Sequence, residues 1–379
     1  MKSLQLIGIA AGAFLVGLAT FVASSFGASS GSTSSDQQRV RGESPPMIRL
    51  VRLGDRFRRP QPEQQVSNEA TKLSININGS DRTYYLFSGT NSGSSTVPLL
   101  IMLHGGGGSA TSSMKVTNLG QLGRAAGIDV IFPEGSNLGH PYRWNTGLKT
   151  GTEIDMVDDI AFLDKIVKAY STGSRPIFLA GLSNGGMMAM RQLCEGNSRF
   201  TGAFIVAGGA SKQLLQSCNS KVSLPILLVH GKMDSIVPYN GGLVARGGIN
   251  QATTLSTTPL VSHERLFTFW LRRNRCSTQS SSLTQLFSLN SDPTVMIENL
   301  TKPLGTCQQT ISVVMNEGDH GWPIDVRLLN RRQSLQLRQR QRLAGSLVGK
   351  ESVNPGSLDT SGIVIRLIGR WAAQSNRSY

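Results

Sequence analysis

The chain predicts an α/β protein built on a doubly wound, mostly parallel sheet. Three observations carry that expectation: short apolar runs recur along the chain, helix-length spacers separate the first of them, and a glycine-bounded serine stands where one run meets a helix-like segment. The runs are Pro98–Leu103, Ile128–Phe132, Pro176–Ala180, Ala203–Ala207, Pro225–Val229 and Thr310–Met315. Each is brief and unbroken, as strands covered on both faces are. Asp158–Tyr170 sets Ile160, Phe162, Leu163, Ile166 and Val167 along one helical face. Repeated strand–helix alternation implies parallel strands joined by right-handed crossovers.

Length and composition agree. The 379 residues are 39% hydrophobic and 16% charged, too apolar for a mainly disordered chain. Glycine shows no collagen period and no long repeat is visible, which excludes fibres and solenoids.

From the N-terminus, Lys2 precedes the 16-residue uncharged run Ile7–Val22, and small residues follow at Ala23-Ser24-Ser25. That order describes a secretory signal peptide over 1–28, with secretion to the extracellular space as the expectation. Left uncleaved, the same run would anchor the chain in a membrane. Residues 29–66 are rich in Ser, Gln, Arg and Pro and read as a disordered linker. The folded domain is expected over 67–379, with order beginning near Lys72. Leu73–Ile77 and Arg82–Phe87 read as a hairpin turning at Asn78-Gly79.

The formal net charge is +15. Most of it lies in two stretches. Residues 1–66 hold eight basic and four acidic side chains, and residues 327–350 hold seven basic and none acidic. The second stretch reads as a basic insertion over 327–355. Such segments offer weak contact with a polyanion or an anionic surface; solvated polar chain is the plainer reading. No aromatic residue lies in 327–350, so specific nucleic-acid binding finds no support there. Four cysteines in an exported chain suggest two disulfides. The sequence-local pairing, Cys194 with Cys218 and Cys276 with Cys307, is the expectation among three connectivities. Their spacing suits no zinc site, and no metal or organic cofactor is implied.

The strongest chemical signal is Gly181-Leu182-Ser183-Asn184-Gly185, between the run Pro176–Ala180 and the helix-like Gly186–Leu193. G-x-S-x-G on a tight strand-to-helix turn presents a serine Oγ at the strand's carboxyl end. The second signal is His104-Gly105-Gly106-Gly107-Gly108, directly after Pro98–Leu103. A nucleophilic serine needs two N–H donors for a developing oxyanion, here from Asn184 and from Gly105 or Gly106. A phosphate-binding loop is the rival reading, but no Lys-Ser/Thr pair follows.

A base and an acid should follow in the order Ser, Asp, His. Asp234 lies just past Pro225–Val229, and His320 just past Thr310–Met315, at strand ends where open α/β sheets place functional groups. The assignment is therefore Ser183 as nucleophile, His320 as base and then acid, and Asp234 as the group that orients His320. His230 is a rival base read as structural. His140 and His263 lack a clear strand end nearby, Asp292 lacks a preceding strand, and Asp319 adjoins His320 too closely to reach its Nδ1. Trp144, Tyr239 and Trp322 are expected near the mouth of the site, as substrate-binding rings or as packing. Asp158 and Asp159 are expected to cap or support the helix that follows them.

Taken in order, Leu103-His-Gly-Gly, Trp144-Asn145, Val157–Leu163, Gly181–Gly186 with Met188 and Cys194-Glu195, His230–Gly242 and His320-Gly-Trp-Pro323 form a series. It resembles the secreted α/β-hydrolase esterases grouped as polyhydroxybutyrate depolymerases with their feruloyl and acetylxylan esterase relatives. Cys276 after Asn274, and Cys307, fit the same pattern. The resemblance covers about 72–325 and a terminal helix near Asp359–Ala373. It implies an α/β-hydrolase fold with a nucleophile elbow, and a serine esterase acting on a polyester or on esterified polysaccharide. Three features depart from the family: Glu317-Gly-Asp-His320, where a glycine run usually precedes the histidine, the stretch 327–355 and the linker 29–66. A serine peptidase and a catalytically silent binding protein of the same fold are the competing expectations.

Overall fold

The computed structural model describes residues 70–89, 92, 94–137, 142–197, 199–219, 222–245, 255–276, 295–300, 307–325, 353–356 and 359–375. All of them fall within one compact unit, 64–379. The expected signal peptide, the linker and most of the basic insertion lie outside the described residues, as do His140 and Asp292.

Among the described residues nine strands make one sheet: β1 (Thr71–Ile77), β2 (Ser80–Phe87), β3 (Leu99–Leu103), β4 (Asp129–Pro133), β5 (Ile177–Leu182), β6 (Gly202–Val206), β7 (Ile226–Gly231), β8 (Val295–Leu300) and β9 (Thr310–Met315). Their spatial order is β1-β2-β4-β3-β5-β6-β7-β9-β8. β3 to β7 and β9 run parallel, while β1, β2 and β8 pair antiparallel at the two edges. This is the α/β-hydrolase fold. The hairpin turns at Asn78-Gly79, both at positive φ, as a two-residue turn between twisted strands requires.

Because side chains alternate along a strand, each central strand feeds two cores. Leu99, Ile101, Leu179, Ile205 and Leu228 point to one side; Leu100, Met102, Phe178, Phe204 and Leu227 point to the other. The first side is covered by α3 (Asp159–Tyr170), α4 (Asn184–Glu195), α5 (Lys212–Ser217) and α6 (His263–Arg273). The second is covered by α1 (Ala110–Thr117), α2 (Leu119–Ala125) and the terminal helix α7 (Thr360–Ser375). Starts are fixed by side-chain caps: Ser109 accepts from the Ser112 amide, Asp158 from Ala161 and Ser262 from Arg265. Cys194–Cys218 ties the end of α4 to the end of α5, and Cys276–Cys307 ties the chain beyond α6 to the approach to β9.

The six central strands lie within two residues of their expected bounds. Three were not expected. β8 reads Val-Met-Ile-Glu-Asn-Leu, whose polar pair breaks the apolar run. β10 (Trp322–Asp325) and β11 (Val353–Gly356) form a separate parallel pair, so the last residues of the expected insertion return to the fold beside the His320 loop. Among the described residues no helix is long and apolar enough to cross a membrane.

Helix α7 is bound to the sheet by a buried face that includes Val364, Leu367, Ile368 and Trp371. The Trp371 ring is 1% exposed and stacks on Phe204 at 5.1 Å, and its Nε1 donates to Gln309 Oε1 at 2.8 Å. Trp371→Ala should cost about 3–5 kcal/mol of stability through the cavity it leaves. Denaturant unfolding followed by far-ultraviolet circular dichroism would register the drop in midpoint.

Candidate active site

Four loops at the carboxyl ends of β3, β5, β7 and β9 converge. They lie at the crevice where the strand order reverses around β3, the place open α/β sheets use for ligands. Ser183 stands between β5 and α4 with φ 55° and ψ −119°. A non-glycine residue there is strained by about 1–3 kcal/mol, so the surroundings must impose it. Two bonds do: the Ser183 amide donates to Val206 O at 2.8 Å, and Ser183 O accepts from Met187 N at 2.9 Å. At Gly185 a Cβ would collide with the carbonyls of Leu103 and His104, so only glycine lets α4 begin this close to the end of β3. Ser183 occupies the N-cap position of α4, yet its side chain makes no capping bond.

The hydroxyl turns instead to His320. Ser183 Oγ lies 2.9 Å from His320 Nε2, and His320 Nδ1 lies 2.8 Å from Asp234 Oδ2 and 3.0 Å from Oδ1. Asp234 Oδ1 also accepts the amides of Ile236 and Val237 at 3.0 and 2.8 Å. The carboxylate is fully buried. Burial works to raise its pKa, and the adjacent His320, with hydrogen bonds from His230 and His320, holds it well below the usual carboxylate range instead.

The loops carrying the acid and the imidazole are stitched together. Lys232 N donates to Met315 O at 2.9 Å and Met233 N to Gly318 O at 3.0 Å. A Cβ on Gly231 would strike the Gly318 carbonyl. Asp319 Oδ1 accepts from Ser235 N and Oγ, each at 3.1 Å, and from His320 N at 2.7 Å. Asp319 therefore fixes the backbone on either side of the line, while Asp234 takes the ring.

The glycine loop faces Ser183 from β3. The amides of Gly106 and Asn184 donate to no described residue, and a methyl on Gly106 would touch Asn184 Cβ at 3.3 Å. The Asn184 amide heads α4, where N–H groups have no intrahelical partner. Gly105 presents its carbonyl inward, accepting from His104 Nδ1 at 2.8 Å and from Gly108 N at 3.1 Å. His104 Nε2 takes the Gly135 amide at 2.9 Å, which fixes the ring as its Nδ1–H tautomer. This buried support was not foreseen; only its place ahead of the four glycines hinted at it.

The three aromatic residues expected at the mouth are inside. Trp144 is 2% exposed, Tyr239 5% and Trp322 0%. The Trp144 indole donates to His104 O at 2.9 Å, and its backbone pairs with the Asn184 side chain through Trp144 N to Oδ1 at 2.8 Å and Nδ2 to Trp144 O at 3.3 Å. The Trp322 Nε1 donates to Ser361 Oγ at 2.9 Å, binding the chain after His320 to α7. At this burial the rings are placed as packing and not as the walls of an open mouth. Asp158 caps α3. Asp159 holds Arg82 and the Asn145 amide, each at 2.7 Å, which anchors the Trp144-Asn145 segment against the site.

His230 is not positioned as a base. Its Nε2 donates to Val237 O at 2.9 Å and lies 3.3 Å from Asp234 Oδ2; its Nδ1 meets no described partner. It braces the Asp234 turn from behind. Tyr239 and His263 stack at 5.1 Å beside it. Among the described residues no three His, Cys, Asp or Glu side chains are grouped to hold a metal ion.

The model of the phospholipase and carboxylesterase family matches residues 153–263. That span holds Ser183 and Asp234 but stops before His320. NocK of Nocardia uniformis subsp. tsuyamanensis, provisionally assigned as an esterase, is 24% identical over 235 residues, covering 60% of this chain and 65% of that one. Feruloyl esterase B of Piromyces equi is 25% identical over 187 residues, covering 49% of this chain and 34% of the relative. The chain thus spans less than two thirds of the length of either. Among solved structures, the acetyl xylan esterase of Aspergillus awamori aligns at 14% identity and a TM-score of 0.41, over 66% of this chain and 94% of that one.

Acid should unfold the domain through the groups behind the site. Burial, aided by His230, pushes the His263 pKa down to about 3 from 6.5. Between these values the unfolded chain binds a proton that the folded chain refuses, so stability rises with pH there and falls on acidification by about 1.4 kcal/mol per pH unit. The contribution of Asp234, full above its unfolded pKa near 3.8, is lost as pH falls below that value. Chemical denaturation from pH 7 to 4 should show this slope, and His263→Gln should flatten it by about one proton.

Proposed function

We propose that the chain is an exported serine esterase that hydrolyses carboxylic esters through an acyl-enzyme on Ser183. The observation that carries this reading is the unbroken hydrogen-bonded line from Ser183 Oγ through both nitrogens of His320 to the buried Asp234. In this reading Ser183 Oγ bonds to the ester carbonyl carbon as its proton passes to His320 Nε2. The carbonyl electrons become an oxyanion facing the amides of Gly106 and Asn184, each donor contributing about 3–4 kcal/mol to the transition state. The carbon–oxygen bond to the alcohol then breaks, and His320 returns the proton to the leaving oxygen. Water repeats the sequence on the acyl-enzyme and releases the acid and free Ser183. Asp234 stays ionised and stabilises the imidazolium throughout. The phospholipase and carboxylesterase match across Ser183 and Asp234 supports the same chemistry.

For the acyl partner, the ordered motif series supports a short-chain hydroxyalkanoate polyester or its oligomers. A feruloyl or acetylated polysaccharide is the second reading, and the similarity to Feruloyl esterase B favours it. Two disulfides support export, since such bonds persist in oxidising compartments.

The test is hydrolysis of p-nitrophenyl acetate, butyrate and decanoate, followed by hydroxybutyrate oligomers and methyl ferulate. Ser183→Ala should lower kcat by about 10⁶-fold, and Asp234→Asn by about 10⁴-fold. A folded protein with no Ser183-dependent turnover of any ester would sink the esterase reading and favour a silent hydrolase-fold binding protein.

A further inference from the structure

A groove of about 760 Å³ runs between α5 and α6, and its lining includes none of Ser183, Asp234 and His320. Its lining combines cations with a partly apolar floor. Lys212, Arg265 and Arg272 are exposed along it. None of the three lies within ion-pair distance of a described carboxylate. Glu264 is the one acid among the lining residues. Arg273 is held in place instead: its two terminal nitrogens donate to Cys218 O and Asn219 O, both at 2.8 Å, and its guanidinium lies 5.0 Å from the centre of the Phe269 ring.

The arrangement constrains the ligand. Arg265 and Arg272 are seven residues apart on one helical face, about 10 Å along the axis. Positive charges so spaced suit an extended chain with repeated negative groups better than a single compact anion. Arginine forks match carboxylates and phosphates alike, so the neutral and apolar groups of the lining decide between them. Between the charges, Thr268 and Gln216 offer neutral hydrogen-bonding groups, and Val261 and Phe269 offer half-buried apolar surface. A carboxylated sugar chain presents these same features: acidic groups at intervals, hydroxyls between them, and apolar C–H faces. Nucleic acid fits less well, because successive bases stack on successive aromatic side chains and Phe269 is the one aromatic residue in the lining. A concave groove also makes poor contact with a flat bilayer.

We infer that the α5–α6 groove binds acidic polysaccharide of the polyuronate class. It would hold the protein on such a matrix by a surface separate from the Ser183 line. The inference does not depend on esterase activity.

The test uses the full chain on immobilised polygalacturonate, eluted with a salt gradient. Binding in solution is measured beside it, with single-stranded oligothymidylate as the comparison. The Lys212→Gln, Arg265→Gln, Arg272→Gln triple variant should elute at clearly lower salt and bind polygalacturonate at least tenfold more weakly, with oligothymidylate binding much less affected. The single variants should show partial losses, and thermal melts should match the parent. Because 327–350 is also basic, an Arg331→Gln, Arg332→Gln variant serves as the control and should keep most of the retention. Unchanged retention of the triple variant would overturn the inference. So would a parent chain that is not retained at low salt, retention lost only with Arg331 and Arg332, or equal losses toward the oligonucleotide.

Discussion

The backbone of Ser183, held at φ 55° between β5 and α4, positions the rest of the site. At that angle the hydroxyl cannot take the capping role that a serine at a helix N-terminus ordinarily takes, and its Oγ is directed at His320. The same turn brings the first amide of α4 beside the glycine loop after β3. The strain is tolerated because the elbow is enclosed: β6 accepts the Ser183 amide, and α4 begins against the carbonyl end of β3 at Gly185. A side chain at Gly185 would push these elements apart and displace Ser183 from the glycine loop.

Around that turn the remaining groups are fixed by buried polar contacts. Asp234 is enclosed by two amides and two imidazoles, which is why it remains ionised without solvent. His104 and His230 occupy parallel positions, each at the end of its strand and each supporting a functional loop through a backbone carbonyl. Neither reaches Ser183. Of the four histidines the structure describes, His320 meets Ser183, His104 and His230 hold loops, and His263 packs.

Much of this was legible in the chain. The parallel strands are buried on both faces, so their apolar runs are uninterrupted; the sites at their ends are marked by glycines because close backbone approach tolerates nothing else. Ser183, Asp234 and His320 each follow such a run and come together in space. The aromatic residues were less legible: Trp144, Tyr239 and Trp322 neighbour the site in sequence, but nothing local distinguishes a ring facing a cleft from one facing the core. The edge was harder still. β8 carries Glu298 and Asn299, and an edge strand does not require a continuous apolar run. The α5–α6 groove arises from Lys212 and from α6 residues about 50 positions later, which only the tertiary packing brings together.

The most direct measurement is covalent labelling with a fluorophosphonate, followed by peptide mass spectrometry of the full chain. The reagent reacts with a serine only when a neighbouring base accepts its proton and amides hold the phosphoryl oxygen. The expected result is a single adduct on Ser183 that disappears in His320→Ala while the fold is retained. A folded chain that takes no label, or takes it equally at other serines, would contradict an activated Ser183.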